Sequence, residues 1–270
     1  MSRLQYYKLY GGIGNQLFQY AHGLALIAGG EKVRFILNRD FSSSIFYDLP
    51  ELFSVDPKLI YAPQNSYGLM AAKIYAKYIC RSWHTGFFQD YKFAQYLKDA
   101  GISFSKKDEY DSTSAATFIR SKNAVSIHIR GGDYNRPDVF SDYGNICTEE
   151  YYNKAAAEIC ASVEKPVFVV FTNDSEYAAA MLEKIDIEEF VFVDTLINDE
   201  KPELKNDPAF SMYLQTLCNA NIIANSTFSW WGAFLNETPD KLVISPSKWH
   251  NKRPEAIEKL VPEISGWRKI

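Results

Sequence analysis

Three polar clusters mark the ends of apolar, strand-like runs in the second half of the sequence. They read HIRGGDY (His128 to Tyr134), TNDS (Thr172 to Ser175) and NSTFSWWG (Asn225 to Gly232). Ligands of parallel α/β sheets bind beyond the carboxyl ends of the strands. Packing could explain any one of these clusters, but it explains three at equivalent positions less well. We therefore expect a binding site for a polar ligand along this edge.

Arg130 is the strongest candidate for binding an anion. It stands where a strand opens into Gly131 and Gly132, so its forked guanidinium can grip the oxygens of a diphosphate while the glycines let the backbone approach closely. The alternative is an ordinary surface turn with an Arg130–Asp133 ion pair, which would be common and weak. Both interpretations stay open on the sequence alone.

The segment Asn225 to Ser229 predicts a helix start whose hydroxyls and N–H groups suit an anion. Its alternative is a simple cap by Ser226 or Thr227, and the two uses are compatible. Trp230 and Trp231 are interpreted as packing residues.

His128 and Asp174 each have two interpretations. His128 lies inside an alternating strand, where a single histidine is usually structural, although a ring nitrogen can also contact a ligand. The carboxylate of Asp174 can accept two hydrogen bonds from a guanine edge. Its alternative is to cap the helix predicted over residues 175–185.

Composition narrows the class of protein. With 270 residues, 47% of them apolar, the chain is long enough for one large or two modest domains. Its net charge of −4 lacks the basic footprint of a nucleic-acid-binding protein. Four scattered cysteines indicate neither a zinc site nor a disulfide scaffold. No metal ion and no cofactor are expected. No apolar run is long enough for a signal peptide or a membrane helix. We expect a cytoplasmic protein, and peripheral association with a membrane stays open.

Apolar periodicity predicts an α/β fold with parallel strands. The N-terminus indicates a strand (Leu4 to Leu9), a glycine turn, a helix to about Ala28 and a strand (Val33 to Leu37). After Ala124, short strands alternate with helices, which is typical of a Rossmann-like domain. Two such domains facing a cleft are the leading architecture. We predict domains at residues 1–120 and 121–250, followed by a helix or tail at 251–270.

Helix starts and short strands are also predicted at specific positions. Thr148 and Asp207 are expected to cap helices. The later strands are expected at Val125 to Arg130, Val167 to Phe171, Phe190 to Val193, Ile222 to Ala224 and Leu242 to Ser245.

The N-terminal GGIGNQ (Gly11 to Gln16) joins a strand to a helix but is a weak match to a dinucleotide loop. Counted from Gly12 and Gly14, the position of the third glycine is Leu17. A Walker A loop is excluded because no Gly-Lys-Ser/Thr follows.

Together these motifs resemble the α-1,2-fucosyltransferases, the inverting, GDP-fucose-dependent glycosyltransferase family 11. The resemblance covers GGIGNQLFQYAHGLAL, GFFQDYKF, VSIHIRGGDY, FTNDSEYA and IIANSTFSWWGAFLN, from about Lys8 to Asn236. It implies a GT-B-like arrangement of two Rossmann-like domains, with the donor bound mainly by the C-terminal one. The implied partners are GDP-fucose and an oligosaccharide or lipid-linked glycan acceptor, with no nucleic acid.

The resemblance also implies roles for individual residues. Arg130 would bind the β-phosphate and help GDP leave, and Asn15 would lie near the fucose and the acceptor. The donor-binding residues would be His128 and Asp174 at the guanine and Asn225, Ser226, Thr227 and Phe228 along the pyrophosphate. The family usually has a second arginine where this chain has Gly131, and Arg136 is a candidate substitute.

The expected reaction is a single displacement that inverts the anomeric centre. The sequence does not identify the general base, and Asp90 and His22 are candidates by chemical type only. The alternatives are a GDP-sugar-binding module without transfer activity, for which Gly131 is the only support, and a fucosyltransferase of another linkage.

Overall fold

The computed structural model describes residues 3–39, 48–197 and 200–270. The chain divides into two compact units, Met1–Lys106 and Lys107–Ile270. Each unit contains a sheet in which every strand pairing is parallel.

The first unit begins with a βαβ sequence, as predicted. Its elements are β1 (Leu4–Leu9), α1 (Ile13–Ala28), β2 (Lys32–Leu37), α2 (Leu49–Leu52), β3 (Ile60–Tyr61), α3 (Ser66–Ile74), β4 (Trp83–His84) and α4 (Tyr91–Asp99). A π-helix, Tyr75–Ile79, continues α3. The sequence also predicts helical stretches near Leu69 to Tyr78 and Tyr91 to Asp99, and both are present.

The sheet of the first unit has the strand order β3-β2-β1-β4. The order reverses at β1, because β2 and β3 extend to one side of it and β4 lies on the other. In this register Tyr7 of β1 is opposite Phe35 of β2 and His84 of β4. The end of β1 is therefore the position at which a doubly wound sheet binds ligands.

The second unit alternates helices and short strands. Its elements are α5 (Lys107–Asp111), α6 (Ser114–Arg120), β5 (Ala124–Ile129), α7 (Pro137–Tyr143), α8 (Glu149–Ser162), β6 (Val167–Thr172), α9 (Ser175–Leu182), β7 (Phe190–Phe192), α10 (Val193–Ile197), α11 (Pro202–Lys205), α12 (Pro208–Thr216), β8 (Ala220–Ile222), α13 (Thr227–Leu235), β9 (Leu242–Ser245), α14 (Ala256–Leu260) and β10 (Arg268–Lys269).

The second sheet has the strand order β10-β9-β8-β5-β6-β7. This is the doubly wound order, in which the chain moves outward from β5 on one side and then crosses to β8 on the other. Every residue of β5 is buried, since neighbouring strands cover its edges and helices cover its faces. The carboxyl ends of β5, β6 and β8 therefore lie side by side.

Two predicted helix caps are confirmed. The side chain of Thr148 accepts a hydrogen bond from the N–H of Tyr151 at the start of α8. The side chain of Asp207 accepts from the N–H groups of Ala209 and Phe210 at the start of α12. In each case the side-chain oxygen satisfies N–H groups that have no partner within the helix.

The structure divides the chain earlier than the predicted boundary at residue 120. The segment 107–120 packs within the second unit because the buried Tyr110 donates its hydroxyl to Asp207, 2.7 Å away. The residues predicted as a separate tail also belong to this unit. The strand β10 pairs with β9, and Trp230 Nε1 donates to the carbonyl of Leu260.

One strand lies two residues before its predicted position: residues 220–222 form β8, where the prediction was 222–224. The polar Asn221 sits in its centre, completely buried. Its amide donates to Ser126 Oγ at 2.6 Å and to the carbonyl of Gln215 at 3.0 Å. A buried asparagine interrupts the apolar pattern, and only its tertiary partners make it acceptable in a strand.

The predicted α/β class with two Rossmann-like domains is confirmed, because each of the two units contains a parallel sheet. Among the residues that the structure describes, no helix combines the length and apolarity needed to cross a bilayer.

Candidate active site

The carboxyl ends of β5, β6 and β8 bring together the three polar clusters predicted from the sequence. Because β5 pairs with β6 on one side and with β8 on the other, residues 130–134, 172–174 and 225–228 all follow neighbouring strands. The reversal of strand order falls between β5 and β8, where doubly wound sheets bind nucleotides.

Arg130 follows the last residue of β5, and its side chain is about three-quarters buried. Its guanidinium contacts Asp133 Oδ1 at 2.7 Å and lies 5.1 Å from the ring centroid of Tyr134. Its buried Nε has no hydrogen-bond partner among the described residues. The ion pair considered as an alternative is therefore present, yet it leaves a buried donor unused, and an anionic oxygen would satisfy that donor.

The Gly131–Gly132 loop is held by side chains from the end of β6. Gly131 N donates to Asn173 Oδ1 at 3.1 Å, and Gly132 N donates to Asp174 Oδ2 at 2.9 Å. A Cβ atom at position 131 would lie 2.7 Å from Cδ1 of Tyr177. A second arginine at position 131 would thus clash with Tyr177, which explains why glycine stands there.

Asp174 uses both carboxylate oxygens within the fold. Oδ1 accepts from the N–H of Tyr177 and caps α9, while Oδ2 holds Gly132. The alternative role as a helix cap is thus observed. Each carboxylate oxygen can accept a second bond, so the predicted contact with guanine stays a prediction. Asp174 in any case fixes the loop that follows Arg130.

His128 is 3% exposed and lies in the middle of this network. Its Nδ1 is 2.9 Å from Ser229 Oγ, and its carbonyl accepts a hydrogen bond from the Tyr152 hydroxyl. Burial, assisted by the positive charge of Arg130, lowers the pKa of His128 to about 3. The imidazole is therefore neutral at pH 7, and its bond to Ser229 connects β5 to α13.

The start of α13 contains the remaining predicted donor-binding residues. Ser226 caps the helix by accepting from Phe228 N at 3.4 Å. Thr227 and Phe228 are partly exposed, and the Phe228 ring centroid is 5.8 Å from that of His128. As predicted, Trp230 and Trp231 are completely buried.

Asn225, in contrast, is occupied by structural bonds. Its side-chain amide donates to the backbone carbonyls of Tyr143 and Trp249, both at 3.2 Å. Its backbone carbonyl accepts from the Tyr134 hydroxyl at 3.1 Å. Tyr134 also lies against Arg130. Asn225 thus braces the loop after β5, and its predicted side-chain contact with the donor stays a prediction.

Asn15 lies in the first turn of α1, just after the end of β1. The turn is made by Gly11 at φ +80°, and Gly12 precedes the helix. The Asn15 Oδ1 accepts a hydrogen bond from Gln89 Nε2 at 2.8 Å. Gln89 follows β4, so this bond joins the two strand ends at the reversal of the first sheet.

The two candidate general bases have clear structural roles. His22 stacks on Phe88 with ring centroids 4.1 Å apart, and burial, with the charges of Lys92 and His84, lowers its pKa. Asp90 caps α4 through the N–H of Lys92 and forms an ion pair with the same residue at 3.1 Å. Neither arrangement identifies the base of the reaction.

Several supporting residues were not predicted. They hold the predicted ones in place: Asn173, Tyr134, Ser229 and Gln89. All four lie within the motifs that carry the resemblance. Their position beside the predicted site residues is the sequence signal that could have identified them. Their pairing across strands could not be read from the sequence. Across residues 3–39, 48–197 and 200–270, no three His, Cys, Asp or Glu side chains converge as metal ligands would.

Comparison with protein families gives a match to glycosyl transferase family 11 over residues 71–266. This covers both the Gln89 segment and the whole strand-end network of the second unit. The chain belongs to glycosyltransferase family 11. The family predicted from the sequence is thereby confirmed, and with it the transfer of a sugar as the activity of this family 11 enzyme.

Individual relatives differ in how much of the chain they share. The enzyme is 37% identical to the O-antigen biosynthesis glycosyltransferase WbnK of Escherichia coli over 47% of its own length and 39% of that protein. It is 27% identical to an α-1,2-colitosyltransferase of Escherichia coli over 97% of both chains. A galactoside α-(1,2)-fucosyltransferase 2 of Oryctolagus cuniculus is 31% identical over 43% of this chain and 30% of its own.

Among solved structures, the fucosyltransferase NodZ from Bradyrhizobium has a TM-score of 0.49 with 10% identity, covering 87% of this chain and 92% of its own.

Proposed function

We propose that this enzyme transfers L-fucose from GDP-fucose to O2 of a β-galactoside in a glycan acceptor, with inversion at the anomeric carbon. The observation that carries the proposal is Arg130, whose buried Nε lies at the strand-order reversal of the second sheet and has no partner in the part of the chain that the structure describes. A diphosphate leaving group supplies the anionic oxygens that this position lacks. The family match and the names of the relatives support the sugar and the linkage.

The chemistry follows from where negative charge develops. As the bond between C1 of fucose and the β-phosphate oxygen breaks, the electron pair stays on the phosphate and its charge rises. We place Arg130 and the N–H groups at the start of α13 against that charge, so that they stabilise the transition state more than the ground state. The acceptor hydroxyl attacks C1 from the opposite face and loses its proton, which gives the inverted product.

The loop after Arg130 is preorganised for this role. The side chains of Asn173 and Asp174 hold the N–H groups of Gly131 and Gly132 before any ligand binds. A loop fixed in advance does not need to reorganise as charge develops, which is the source of most electrostatic stabilisation in enzymes. We propose that Asn15 contacts the fucose and the acceptor, and that no metal ion takes part.

A second donor is favoured by a specific observation. The relative that aligns with 97% of this chain is named for colitose, which is L-fucose without its 3-hydroxyl. A site that hydrogen-bonds that hydroxyl rejects the deoxy sugar by a factor on the order of 10⁴, whereas an apolar pocket discriminates by about 100.

The deciding experiment measures kcat/KM for GDP-fucose and for GDP-colitose with a set of β-galactoside acceptors, and determines the linkage of the product by NMR. A strong preference for GDP-fucose and an α-1,2 product support the proposal. A preference for GDP-colitose would identify GDP-colitose, and not GDP-fucose, as the donor. GDP binding without transfer to any acceptor would instead identify a nucleotide-sugar-binding module, and an α-1,3 or α-1,6 product would correct the linkage.

A further inference from the structure

The helix formed by α3 and the π-helix Tyr75–Ile79 exposes its apolar side. Its inner side packs on the first sheet through Leu69, Ala72, Ala76 and Cys80. The outer side carries large apolar residues, here called the aromatic face: Tyr67 (78% exposed), Met70 (54%), Ile74 (47%), Tyr75 (51%), Tyr78 (63%) and Ile79 (68%).

Four residues of the aromatic face form one continuous stripe along the helix. Tyr67, Met70, Ile74 and Tyr78 are spaced by three, four and four residues, which places them along one side of a helix. A surface helix ordinarily turns a polar side to water, whereas this helix is apolar on both its inner and its outer side. Contiguous exposed apolar surface of this kind marks a site of interaction.

The charge around the aromatic face differs from that of the rest of the chain. Residues 57–89 contain the basic side chains Lys58, Lys73, Lys77 and Arg81 and no Asp or Glu. The remaining residues carry 25 basic and 33 acidic side chains, a net charge of −8. The Nζ of Lys77 lies 5.2 Å from the ring centroid of Tyr78, so positive charge borders the apolar stripe directly.

We propose that the aromatic face lies in the headgroup region of an anionic lipid bilayer and holds the enzyme at the membrane surface. Tyrosine rings favour the boundary between headgroups and acyl chains, where their apolar body and hydroxyl are both satisfied. Ile74, Met70 and Ile79 supply apolar surface to the same boundary, and the neighbouring lysines attract anionic headgroups. A helix lying in the interface plane presents such a stripe along its whole length.

The charge pattern argues against a second copy as the occupant. A twofold contact through the aromatic face is self-complementary. It would therefore bring Lys73, Lys77 and Arg81 of one copy close to the same residues of the other, and like charges would oppose the contact. An anionic bilayer has the opposite charge and a flat surface that matches an exposed helix.

The test is co-sedimentation of the full chain with vesicles of phosphatidylcholine and phosphatidylglycerol in a two-to-one ratio, compared with phosphatidylcholine alone. The Ile74→Ser/Tyr78→Ser double variant should lower partitioning at least tenfold. The Lys73→Gln/Lys77→Gln variant should lower it about fivefold for each lysine removed, and added salt should weaken the wild type in the same direction. Ile264→Ser, at a residue 82% exposed in the second unit, and Lys259→Gln are the matched controls.

Circular dichroism and GDP binding confirm that each variant is folded, and neither measurement requires transfer activity. Binding to the anionic vesicles that the two double variants lose and the controls keep supports the proposal. It is overturned if the wild type does not sediment with anionic vesicles, or if Ile264→Ser loses as much binding as Ile74→Ser/Tyr78→Ser. A dimer in light scattering that becomes a monomer in Ile74→Ser/Tyr78→Ser, without vesicle binding, would assign the face to a second copy.

Discussion

The two strand-order reversals, one in each sheet, are surrounded by different kinds of side chain. In the second unit the reversal beside β5 carries the charged Arg130. It is held by hydrogen bonds from backbone to polar side chains, such as Gly131 N to Asn173 Oδ1, and between side chains, such as His128 and Ser229. In the first unit the reversal beside β1 is held by neutral side-chain amides: Gln19 bonds to the N–H and the carbonyl of Tyr10, and Gln89 donates to Asn15 Oδ1. Stacked rings also border it, with the ring centroids of Tyr10 and Phe87 4.9 Å apart.

The difference follows the ligand that each reversal is proposed to bind. A diphosphate needs charge and oriented donors, which only a fixed polar network supplies. The C–H faces of a sugar suit aromatic rings. The same topology thus provides two positions, and the side chains that follow the strands decide what each position binds.

The largest effect expected from this comparison concerns Arg130. Replacing Arg130 with Ala should lower kcat by a factor of about 10² to 10³, because the charge on the leaving group then lacks its main stabiliser. Arg130→Lys should be intermediate, since it keeps the charge but loses the fork. Steady-state kinetics on folded proteins measures both.

The control for Arg130 is Arg136→Ala, which removes an exposed arginine paired with Asp138. It should leave kcat nearly unchanged, and a large loss there would show that Arg136 acts as the substitute for the second arginine. A folded Arg130→Ala enzyme with nearly normal kcat would remove the basis of the mechanism.

The next effect tests whether Asp174 reads guanine or only supports the loop. Asp174→Asn keeps a capping oxygen but loses the charge. If the carboxylate accepts from guanine, GDP binding should weaken by about 2 kcal/mol, the scale of a hydrogen bond to a charged group. Inosine diphosphate lacks the exocyclic amine and should be affected less. Calorimetry with both nucleotides measures the difference.

Asp90→Asn provides the matched cap in the first unit, because Asp90 also caps a helix and bonds to a backbone N–H. It should not change the affinity for either nucleotide. Equal weakening of GDP and inosine diphosphate by Asp174→Asn would leave Asp174 with its structural role alone.

Protonation distinguishes the two units through the buried His128 and the half-buried His22. The pKa of His128 is lowered to about 3 by burial, so the unfolded chain, with a histidine pKa near 6.5, takes up a proton first as the pH falls. Stability is therefore complete above about pH 6.5 and is lost progressively toward pH 3. From pH 7 to pH 5 this group should cost about 2 kcal/mol of unfolding free energy.

Urea unfolding of wild type, His128→Gln and His22→Gln at the two pH values tests this. The His128→Gln variant should lose most of the pH dependence. The His22→Gln variant should lose less, because His22 is only half-buried and burial is the first cause that lowers its pKa. A steeper pH dependence in either variant than in wild type would contradict the assigned direction.

A smaller effect is expected in the first unit. Asn15→Ala should lower kcat about tenfold, the loss of roughly 1.4 kcal/mol of transition-state binding. Gln89→Ala should act in the same direction but more weakly, because we assign to Gln89 the positioning of Asn15 through its hydrogen bond and not a contact with the sugar. In both variants KM for GDP-fucose should change less than kcat.

Gln95→Ala is the control for Gln89, since Gln95 donates to the exposed Asp99 on α4. It should behave as wild type. If Gln89→Ala changed only thermal stability and left kcat intact, its bond to Asn15 would be structural.

For removal of metal ions we expect no effect on the rate of transfer. Because Arg130 is proposed to supply the positive charge, EDTA should leave the rate of transfer unchanged. Initial rates with and without the chelator measure this. Loss of activity that manganese or magnesium restores would instead require a metal at the diphosphate.

Prediction from sequence succeeded where one local signal was sufficient. The apolar run Val167 to Phe171 predicts a strand, and Thr148 followed by two glutamates predicts a helix start; both are observed. It was less accurate at β8, where Asn221 breaks the apolar pattern, and at the domain boundary, where Tyr110 reaches a distant aspartate. Hydrogen bonds between residues about a hundred positions apart produce no periodic pattern in the sequence.

The amino-acid sequence by itself determined the family, the parallel α/β class and the three clusters at the strand ends, because these depend on local periodicity and on short motifs. Only the tertiary structure decided what each side chain does there. It shows that Asp174 holds the Gly132 backbone and that Tyr177 fills the space of a side chain at position 131. It also shows that Arg130 keeps a buried Nε to which no described residue is hydrogen-bonded. These facts depend on which strand ends lie side by side, and the order of strands in a sheet is set by the packing of the whole domain.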